Sequence, residues 1–218
     1  MKTKKEKNLR FGFCEKYLWR NGYKRILAID EVGRGALAGP LVLGGVVLDD
    51  KFDFKKEQWI SLVKDSKKLS PKKREEIFKI AKKHPLIQWK IEKISNKIID
   101  KINILEAFKL GVRRLANKFS KNPFRGKKID FLILDGNVEV NVHFPHKSIV
   151  NADDKVFSCS LASIMAKVER DEMMKKVHKQ IPQFLFFKNK GYGTKEHFDR
   201  IKKRGFSTLH RKSFLKNL

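Results

Sequence analysis

The sequence predicts a mixed α/β domain that carries a small helical extension at its C-terminus. Three observations support this fold class: short apolar runs of strand length in the first half, amphipathic helical patterns alternating with strands in the middle, and a Lys-rich stretch from Lys188 onward. Hydrophobic residues make up 41% of the 218 residues, which is enough to build a core and argues against disorder.

Three patterns in the first half predict strands. Residues 25–29 form a short buried run that ends at Asp30 and Glu31. The second run covers residues 41–48 (LVLGGVVL), in which two adjacent glycines allow a bulge or the close approach of another element. Residues 87–91 alternate apolar and polar side chains, which predicts a strand with one exposed face.

Helical patterns follow. Ser70 and Pro71 are typical of a helix start and predict a helix over residues 72–83. Apolar residues repeat at spacings of three and four over residues 105–119, which predicts an amphipathic helix. The remaining predicted elements are strands over 129–134 and 148–150 and helices over 161–168 and 196–203.

The charge of the chain indicates a polyanionic partner. There are 51 Lys and Arg residues against 24 Asp and Glu, so the net charge is +27, and such basic chains commonly bind nucleic acid through phosphate. The alternative is a solvated Lys-rich surface. No apolar run reaches 18 residues, and the basic N-terminus has no apolar segment behind it, so we expect neither a membrane span nor a secretory signal. Two cysteines are too few for a disulfide framework, and we expect a cytoplasmic protein.

Acidic residues follow three of the predicted strands. Asp30 and Glu31 end the first, Asp135 follows the strand over 129–134, and Asp153 and Asp154 follow the strand over 148–150. If the first two of these strands are neighbours in the sheet, their carboxylates emerge at the same edge. One member of the last pair is expected to cap a helix N-terminus instead.

Carboxylates at three strand ends in a basic chain indicate a hard cation such as Mg²⁺. Two such ions about 4 Å apart can activate water and stabilise a leaving oxygen in phosphodiester hydrolysis. The close pair His143 and His146 is separated by Pro145 and has no nearby cysteine, which argues against zinc.

The segment Gly33-Arg34-Gly35-Ala36-Leu37-Ala38 fits the glycine pattern of dinucleotide-binding loops. That interpretation needs a helix to follow, whereas residues 41–48 predict a strand. The glycines suit a close approach of the backbone to a sugar-phosphate chain, with Arg34 available for phosphate.

Two basic loops complete the candidate site. Residues 65–69 (DSKKL) contain Lys67 and Lys68, and residues 188–197 place Tyr192 in a basic, Gly-containing loop. An exposed Tyr among lysines can stack on a base or a sugar. The alternative is a Tyr packed at a domain boundary.

These motifs recur in order in a known family. The chain contains seven of these motifs in the family's order: D-E-V-G-R-G at 30–35, D-S-K-K-L at 65–69, I-D-K-I-N-I-L-E-A at 99–107, L-D-G-N at 134–137, S-x-x-x-A-x-I-x-A-K-V-x-R-D ending at Asp171, K-G-Y-G-T-K-E-H at 190–197 and H-R-K-S-F at 210–214. In this respect the chain closely resembles ribonuclease HII, the bacterial type 2 ribonuclease H, from about Arg25 to Phe214. Two alternatives are a non-catalytic nucleic-acid-binding protein and, closer to the predicted function, ribonuclease HIII. Ribonuclease HIII carries a large N-terminal domain, whereas only about 24 residues precede the first predicted strand here.

The resemblance implies a ribonuclease H-like mixed β-sheet flanked by helices. It implies hydrolysis of RNA in RNA–DNA hybrids and cleavage 5′ of ribonucleotides embedded in duplex DNA, with Mg²⁺ or Mn²⁺ in a two-metal site. The products would carry 5′-phosphate and 3′-hydroxyl ends. By motif, the catalytic and metal-binding carboxylates would be Asp30, Glu31, Asp135 and Asp153.

Asp153 is preferred to Asp154 because it aligns with the family pattern G-D-x-K-x-x-S, although Ala152 stands where glycine is usual. The resemblance also implies that Tyr192 packs on the deoxyribose at the RNA–DNA junction. The substrate-binding residues would be Gly33, Arg34, Gly35, Lys67, Lys68 and Tyr192.

The expected organisation has three parts. Residues 1–24 have no functional account, residues 25–187 form the catalytic domain, and residues 188–218 form a helical extension that contributes to substrate binding. We expect a monomer.

Overall fold

A five-stranded mixed sheet forms the centre of the molecule, as predicted. The computed structural model describes residues 12–63, 69–121, 123, 124, 126 and 128–216, and the strand order within them is β3-β2-β1-β4-β5. The strands are β1 (Ile26–Val32), β2 (Leu41–Leu48), β3 (Ile87–Ile94), β4 (Phe131–Asp135) and β5 (His146–Ile149). The helices are α1 (Phe13–Arg20), α2 (Pro71–Lys83), α3 (Asn96–Lys121), α4 (Ala152–Lys155), α5 (Phe157–Gln180), α6 (Phe186–Asn189) and α7 (Lys195–Arg204). Short 3-10 turns cover Gln58–Leu62, Pro182–Phe184 and Lys212–Phe214.

The central strand β1 fixes the edge at which the acidic residues meet. β2 pairs with β1 in the antiparallel sense, and β4 pairs with it in the parallel sense with Ile29 opposite Leu134. The next residues along these two parallel strands are Asp30 and Asp135. They therefore leave the sheet at the same edge, as the sequence predicted.

The adjacent glycines of β2 allow helices to pack closely on both faces of the sheet. A Cβ atom on Gly44 would lie 2.2 Å from the carbonyl oxygen of Ala162 in α5, and one on Gly45 would lie 2.8 Å from the ring of Phe119 in α3. The pairing of β2 with β1 and β3 continues through both positions. The glycines therefore serve close approach, and the predicted alternative of a bulge is wrong.

The helices begin where local chemistry allows. α2 starts as predicted, because the side chain of Ser70 accepts a hydrogen bond from the Lys73 N–H at 3.3 Å. α3 is longer than predicted and contains a break at Asn103, where φ is 65°. The Asn103 Oδ1 accepts from the N–H groups of Leu105 and Glu106 at 2.9 and 3.0 Å, so it caps the second part of the helix, which is the part that the apolar pattern identified. None of the described helices is both long and apolar enough to cross a membrane.

The face of β3 that was predicted to be exposed is partly covered by α3. The ammonium group of Lys90 lies 5.2 Å from the Phe119 ring centroid and donates to the Lys118 carbonyl. Gln88 and Lys90 are therefore half-buried. The prediction failed here because the aliphatic part of a lysine can pack under a helix while its charged end reaches a polar group.

The N-terminal segment contributes a helix to the main core. Leu18 and Trp19 of α1 are buried in the cluster that includes residues of β1, β2 and α5. Glu15 is also buried, and its Oε1 accepts from both the N–H and the Oγ–H of Ser158 at 2.8 Å. Since Ser158 is in the first turn of α5, Glu15 satisfies a free N–H group at the start of that helix. Burial raises the pKa of Glu15.

The C-terminal extension packs against the loop that follows β1. The N–H groups of Leu37 and Ala38 donate to the Gly191 carbonyl at 2.8 and 3.1 Å, and the Arg211 N–H donates to the Leu37 carbonyl at 2.8 Å. α7 agrees with the predicted helix over 196–203, whereas α6 crosses the expected boundary at residues 187 and 188. The extension therefore lies beside the glycine loop that the sequence singled out.

Candidate active site

Three aspartates from separate parts of the chain meet at one edge of the sheet. Asp30 is on β1, Asp135 ends β4 and Asp153 lies in α4, and a carboxylate oxygen of each lies within 4.8 Å of the others. The Ala152 N–H donates to Asp135 Oδ1 at 2.5 Å, which holds the start of α4 against the end of β4. The parallel pairing of β1 with β4 and this one hydrogen bond bring the three carboxylates together.

The two adjacent aspartates of α4 differ in their surroundings. Asp153 is 5% exposed and its carboxylate belongs to the cluster, whereas Asp154 is exposed. The Ser160 hydroxyl donates to the main-chain carbonyl of Asp153, which ties this residue to α5. Both aspartates lie in the first turn of α4, and neither is the N-cap residue itself, since the N-cap positions are Asn151 for α4 and Val156 for α5.

Glu31 lies beside the cluster and outside its closest group. Its side chain lines the same cleft as Asp30 and Asp135, but it is not among the three carboxylates that lie within 4.8 Å of one another. Its Oε1 accepts from Arg34 Nη1 at 3.2 Å. Burial raises the pKa of Glu31, and the Arg34 guanidinium opposes that rise.

The electrostatics of the cluster fit a bound divalent cation. Burial raises the pKa of Asp30 well above its ordinary value, and the charges of Glu31 and Asp135 raise it further, while a hydrogen bond from Ser163 opposes them. A cation among these groups would relieve the repulsion between the carboxylates. The three close donors are all carboxylate oxygens, which suit hard ions such as Mg²⁺ or Mn²⁺.

The glycine loop after β1 forms the wall of the cleft nearest the cluster. Gly33 has a φ of 91°, and a Cβ atom on it would lie 2.2 Å from Nε of Arg170. Gly35 faces open space, with nothing within 4 Å of its built Cβ position. β2 follows this loop, as predicted, which excludes the helix that a dinucleotide-binding loop requires.

Two buried arginines hold this loop, and sequence reasoning missed both. Arg170 donates to the carbonyls of Pro40, Ala38 and Lys190 at 3.2, 3.2 and 2.8 Å. Arg211 donates to the carbonyls of Gly39 and Arg34 at 3.1 and 2.8 Å. Both side chains are fully buried, and burial lowers the pKa of Arg211 to about 10. The motifs around Asp171 and at 210–214 contain these arginines, but nothing in them indicates burial, because arginine is normally exposed.

Tyr192 and α5 complete the cleft, whose volume is about 430 Å³. Tyr192 is half-buried and its ring centroid lies 5.3 Å from the Arg170 guanidinium, so it is both a lining residue and a packed one. Ser163 and Lys167 of α5 also line the cleft, and Lys167 pairs with Asp171 at 2.8 Å. The residues that line the cleft are Asp30, Glu31, Val32, Gly33, Arg34, Gly35, Asp135, Ser163, Lys167 and Tyr192.

Ser163 and Lys167 were not predicted as site residues. Both belong to the motif that ends at Asp171, and their spacing of four residues places them on one face of a helix, which is the signal that could have found them. The predicted substrate-binding residues Lys67 and Lys68 lie outside the part of the chain that the structure describes.

The topology of the sheet, with a carboxylate cluster at its edge, places the chain in the ribonuclease H-like fold class. The family model for ribonuclease HII matches residues 27–217, and the chain belongs to that family. It is therefore a metal-dependent endoribonuclease that degrades the RNA of RNA–DNA hybrids.

Known proteins agree with this assignment. The chain is 42% identical over 197 residues to ribonuclease HII of Clostridioides difficile, covering 90% of this chain and 72% of that protein. The crystal structure of ribonuclease H2 from Pyrococcus horikoshii shares the fold with a TM-score of 0.67 at 24% identity, covering 87% of this chain and 93% of that one. The Bst ribonuclease HIII in complex with Mn²⁺ shares the fold with a TM-score of 0.69 at 17% identity, covering 89% and 70%.

Proposed function

We propose that this enzyme also cuts on the 5′ side of single ribonucleotides embedded in duplex DNA, leaving 5′-phosphate and 3′-hydroxyl ends. Asp30, Glu31, Asp135 and Asp153 are the proposed ligands of two divalent ions, Mg²⁺ or Mn²⁺. The observation that carries the proposal is the approach of three of these carboxylates to within 4.8 Å of one another in the cleft beside the glycine loop. The Mn²⁺ held by the Bst ribonuclease HIII supports a divalent ion at such a site.

The chain's own residues prepare the cleft for phosphodiester hydrolysis. Divalent ions, when bound, would activate the attacking water and stabilise charge on the leaving oxygen. The hydrogen bond from Ser163 favours the ionised form of Asp30. Arg34 pairs with the carboxylate of Glu31 beside the cluster, and the ammonium group of Lys167, which is paired with Asp171, lines the cleft that receives the phosphate.

The proposed recognition of a lone ribonucleotide uses the two sides of this cleft. Gly33, Arg34 and Gly35 contact the 2′-hydroxyl and the sugar-phosphate backbone, and the open space beside Gly35 supports a close approach of substrate there. Tyr192 packs on the deoxyribose that follows the ribonucleotide, an arrangement supported by its position in the same cleft.

The remaining proposals concern affinity and cellular setting. Lys67, Lys68 and the basic extension over 188–218 contribute phosphate contacts, which the net charge of +27 supports. The chain acts as a monomer in the cytoplasm, and the two free cysteines, Cys14 and Cys159, are consistent with a reducing compartment. Light scattering of the purified protein tests the monomer.

The test is cleavage of an end-labelled DNA duplex that contains one ribonucleotide. With Mg²⁺ or Mn²⁺ we expect a single cut on its 5′ side and a 3′-hydroxyl end that a polymerase extends without prior phosphatase treatment. An all-DNA duplex of the same sequence is the control and should stay intact. Cleavage of continuous hybrids without cleavage of this duplex would contradict the proposed specificity, and full cleavage in excess EDTA would contradict the metal site.

A further inference from the structure

Two buried histidines meet beside the proposed substrate cleft. His197 lies in α7 and His210 in the segment that follows it, and their Nε2 atoms are 3.1 Å apart. Both residues are at most 1% exposed. The Phe184 and Phe186 rings pack against the pair, with centroids 4.8 Å from His210 and 5.4 Å from His197 respectively.

The hydrogen bonds determine where each ring carries its proton. The Ser207 N–H can only donate, and it lies 2.8 Å from Nδ1 of His210, so that nitrogen is an acceptor. The proton of neutral His210 is therefore on Nε2, and it is donated to Nε2 of His197. The proton of His197 is in turn on Nδ1, which lies 2.8 Å from the Tyr192 carbonyl oxygen.

This chain of donors also excludes a metal ion between the rings. A neutral histidine that binds a metal through Nε2 carries its proton on Nδ1. Nδ1 of His210 instead receives the Ser207 N–H, so a proton there would face another donor. The short distance between the rings is therefore a hydrogen bond.

This series of hydrogen bonds ends at the main-chain carbonyl of Tyr192, the residue that lines the cleft. The Tyr192 N–H donates to the Asn189 carbonyl at 2.9 Å, and the Arg170 guanidinium lies 5.3 Å from the Tyr192 ring. The Tyr192 carbonyl, which belongs to the following peptide group, accepts from His197 Nδ1 at 2.8 Å and from the Thr194 N–H at 2.9 Å. Main-chain position, ring contact and carbonyl are thus each held by a different part of the fold.

We propose that His197 and His210 form a positioning pair that orients Tyr192 for the RNA–DNA junction. The pair connects the C-terminal segment, through Ser207, to the Tyr192 carbonyl. Neither histidine touches the substrate in this account. This inference rests on the role proposed above for Tyr192. The series of hydrogen bonds requires both histidines to be neutral, and burial of the rings favours the neutral forms because it lowers the pKa of both histidines.

Paired substitutions at one position separate the hydrogen bond from simple packing. Asn at position 197 places an amide N–H where Nδ1 stands and can still donate to the Tyr192 carbonyl, whereas Leu cannot. The quantity compared is the ratio of kcat/KM at a single-ribonucleotide junction to kcat/KM on a continuous hybrid. We expect His197→Leu to lower this ratio by about fivefold, because one neutral hydrogen bond is worth about 1 kcal/mol. His197→Asn should keep the ratio within about twofold of wild type.

The matched control is His84, a half-buried histidine that contacts Phe52 and Trp59 and does not line the cleft. His84→Leu should lower the stability without changing the substrate ratio. As a second readout, two-bond ¹H–¹⁵N correlation spectra of the wild type at pH 7 should show one ring protonated at Nδ1 and another at Nε2 among the slowly exchanging histidines.

An unchanged ratio in His197→Leu, or an equal loss in His197→Leu and His197→Asn, would overturn the positioning role. Tyr192→Ala is measured beside them: if it lowers the ratio and His197→Leu does not, only this inference fails. If Tyr192→Ala leaves the ratio unchanged, the proposed role of Tyr192 fails and the positioning role fails with it.

Discussion

Gly33 lies directly against the buried guanidinium of Arg170, so that a Cβ atom on Gly33 would be 2.2 Å from Arg170 Nε. Gly35, two residues further along the same loop, has open space where its Cβ would be. Two glycines of one motif therefore have different physical reasons to be glycine. The first is required by the fold, and the second leaves room at the cleft.

We therefore expect different results when Gly33 and Gly35 are each replaced by alanine. Gly33→Ala should lower the free energy of unfolding by at least about 2 kcal/mol, because it combines an unfavourable positive φ with a steric clash. Gly35→Ala should leave stability within about 0.5 kcal/mol of wild type and reduce cleavage of both substrates. Urea denaturation and kcat/KM measure these effects, and a stable, fully active Gly35→Ala protein would remove Gly35 from the substrate contacts.

The hydrogen bonds of Glu15 indicate that the N-terminal helix α1 stabilises the start of α5. Glu15→Ala should lower the free energy of unfolding by about 1–3 kcal/mol, since it leaves the buried N–H and Oγ–H of Ser158 without their acceptor. Arg20→Ala in the same helix is the control, because Arg20 is exposed, and it should change stability by less than about 0.5 kcal/mol. Equal effects in urea denaturation would show that Glu15 adds nothing beyond helix propensity.

The histidine pair predicts a loss of stability on acidification. Burial and the adjacent His197 lower the pKa of His210 to about 4, from an ordinary value of 6.5. Below pH 6.5, His210 therefore binds more protons in the unfolded chain than in the folded one, and its contribution lowers the stability until about pH 4, by on the order of 1–3 kcal/mol.

Asp30 acts in the opposite direction, because its raised pKa means that protonation favours the folded state. The contribution of the pair is therefore read as a difference between two proteins. Urea denaturation of the wild type and of His210→Gln between pH 7 and pH 4.5 should give a steeper loss for the wild type. Parallel curves would contradict the low pKa of the pair.

Because the clustered carboxylates repel one another, we expect that replacing Asp30, a proposed metal ligand, stabilises the metal-free protein. Asp30→Asn removes a buried charge that Glu31 and Asp135 oppose, so in EDTA at pH 7 it should raise the free energy of unfolding by about 1 kcal/mol or more. The same variant should lose hydrolysis and the stabilisation by Mg²⁺. A less stable Asp30→Asn protein in EDTA would mean that the Asp30 carboxylate makes favourable contacts without metal.

Much of the fold could be predicted from the sequence, because its strands and helices follow periodic patterns. β2 coincides with the predicted run of apolar residues, and the two buried strands that end in acidic residues were also predicted. Their pairing, which brings Asp30 beside Asp135, was only a condition of the expectation, and the structure supplies it. The first part of α3 was not predicted, since Asn103 interrupts the apolar stripe there. Local capping explains the break better than periodicity does.

The supports of the site could not be predicted in the same way. Arg170 and Arg211 are charged residues in fully buried positions, and only the carbonyls that they reach in the folded chain make this favourable. His197 and His210 meet through a turn of the C-terminal segment that no pattern indicates. The residues that hold the site thus depend on tertiary contacts, whereas those that form it follow strand ends.

Carboxylates from β1, β4 and α4 are proposed to form one metal site, and Mn²⁺ binding in the absence of substrate is the measurement that tests this arrangement. Isothermal titration of the wild type, Asp153→Asn and Asp154→Asn compares a clustered carboxylate with its exposed neighbour. We expect Asp153→Asn to weaken Mn²⁺ binding by about tenfold or more, about 1.4 kcal/mol, and Asp154→Asn to leave it unchanged. Equal binding by the wild type and Asp153→Asn, or a greater loss in Asp154→Asn, would contradict this arrangement.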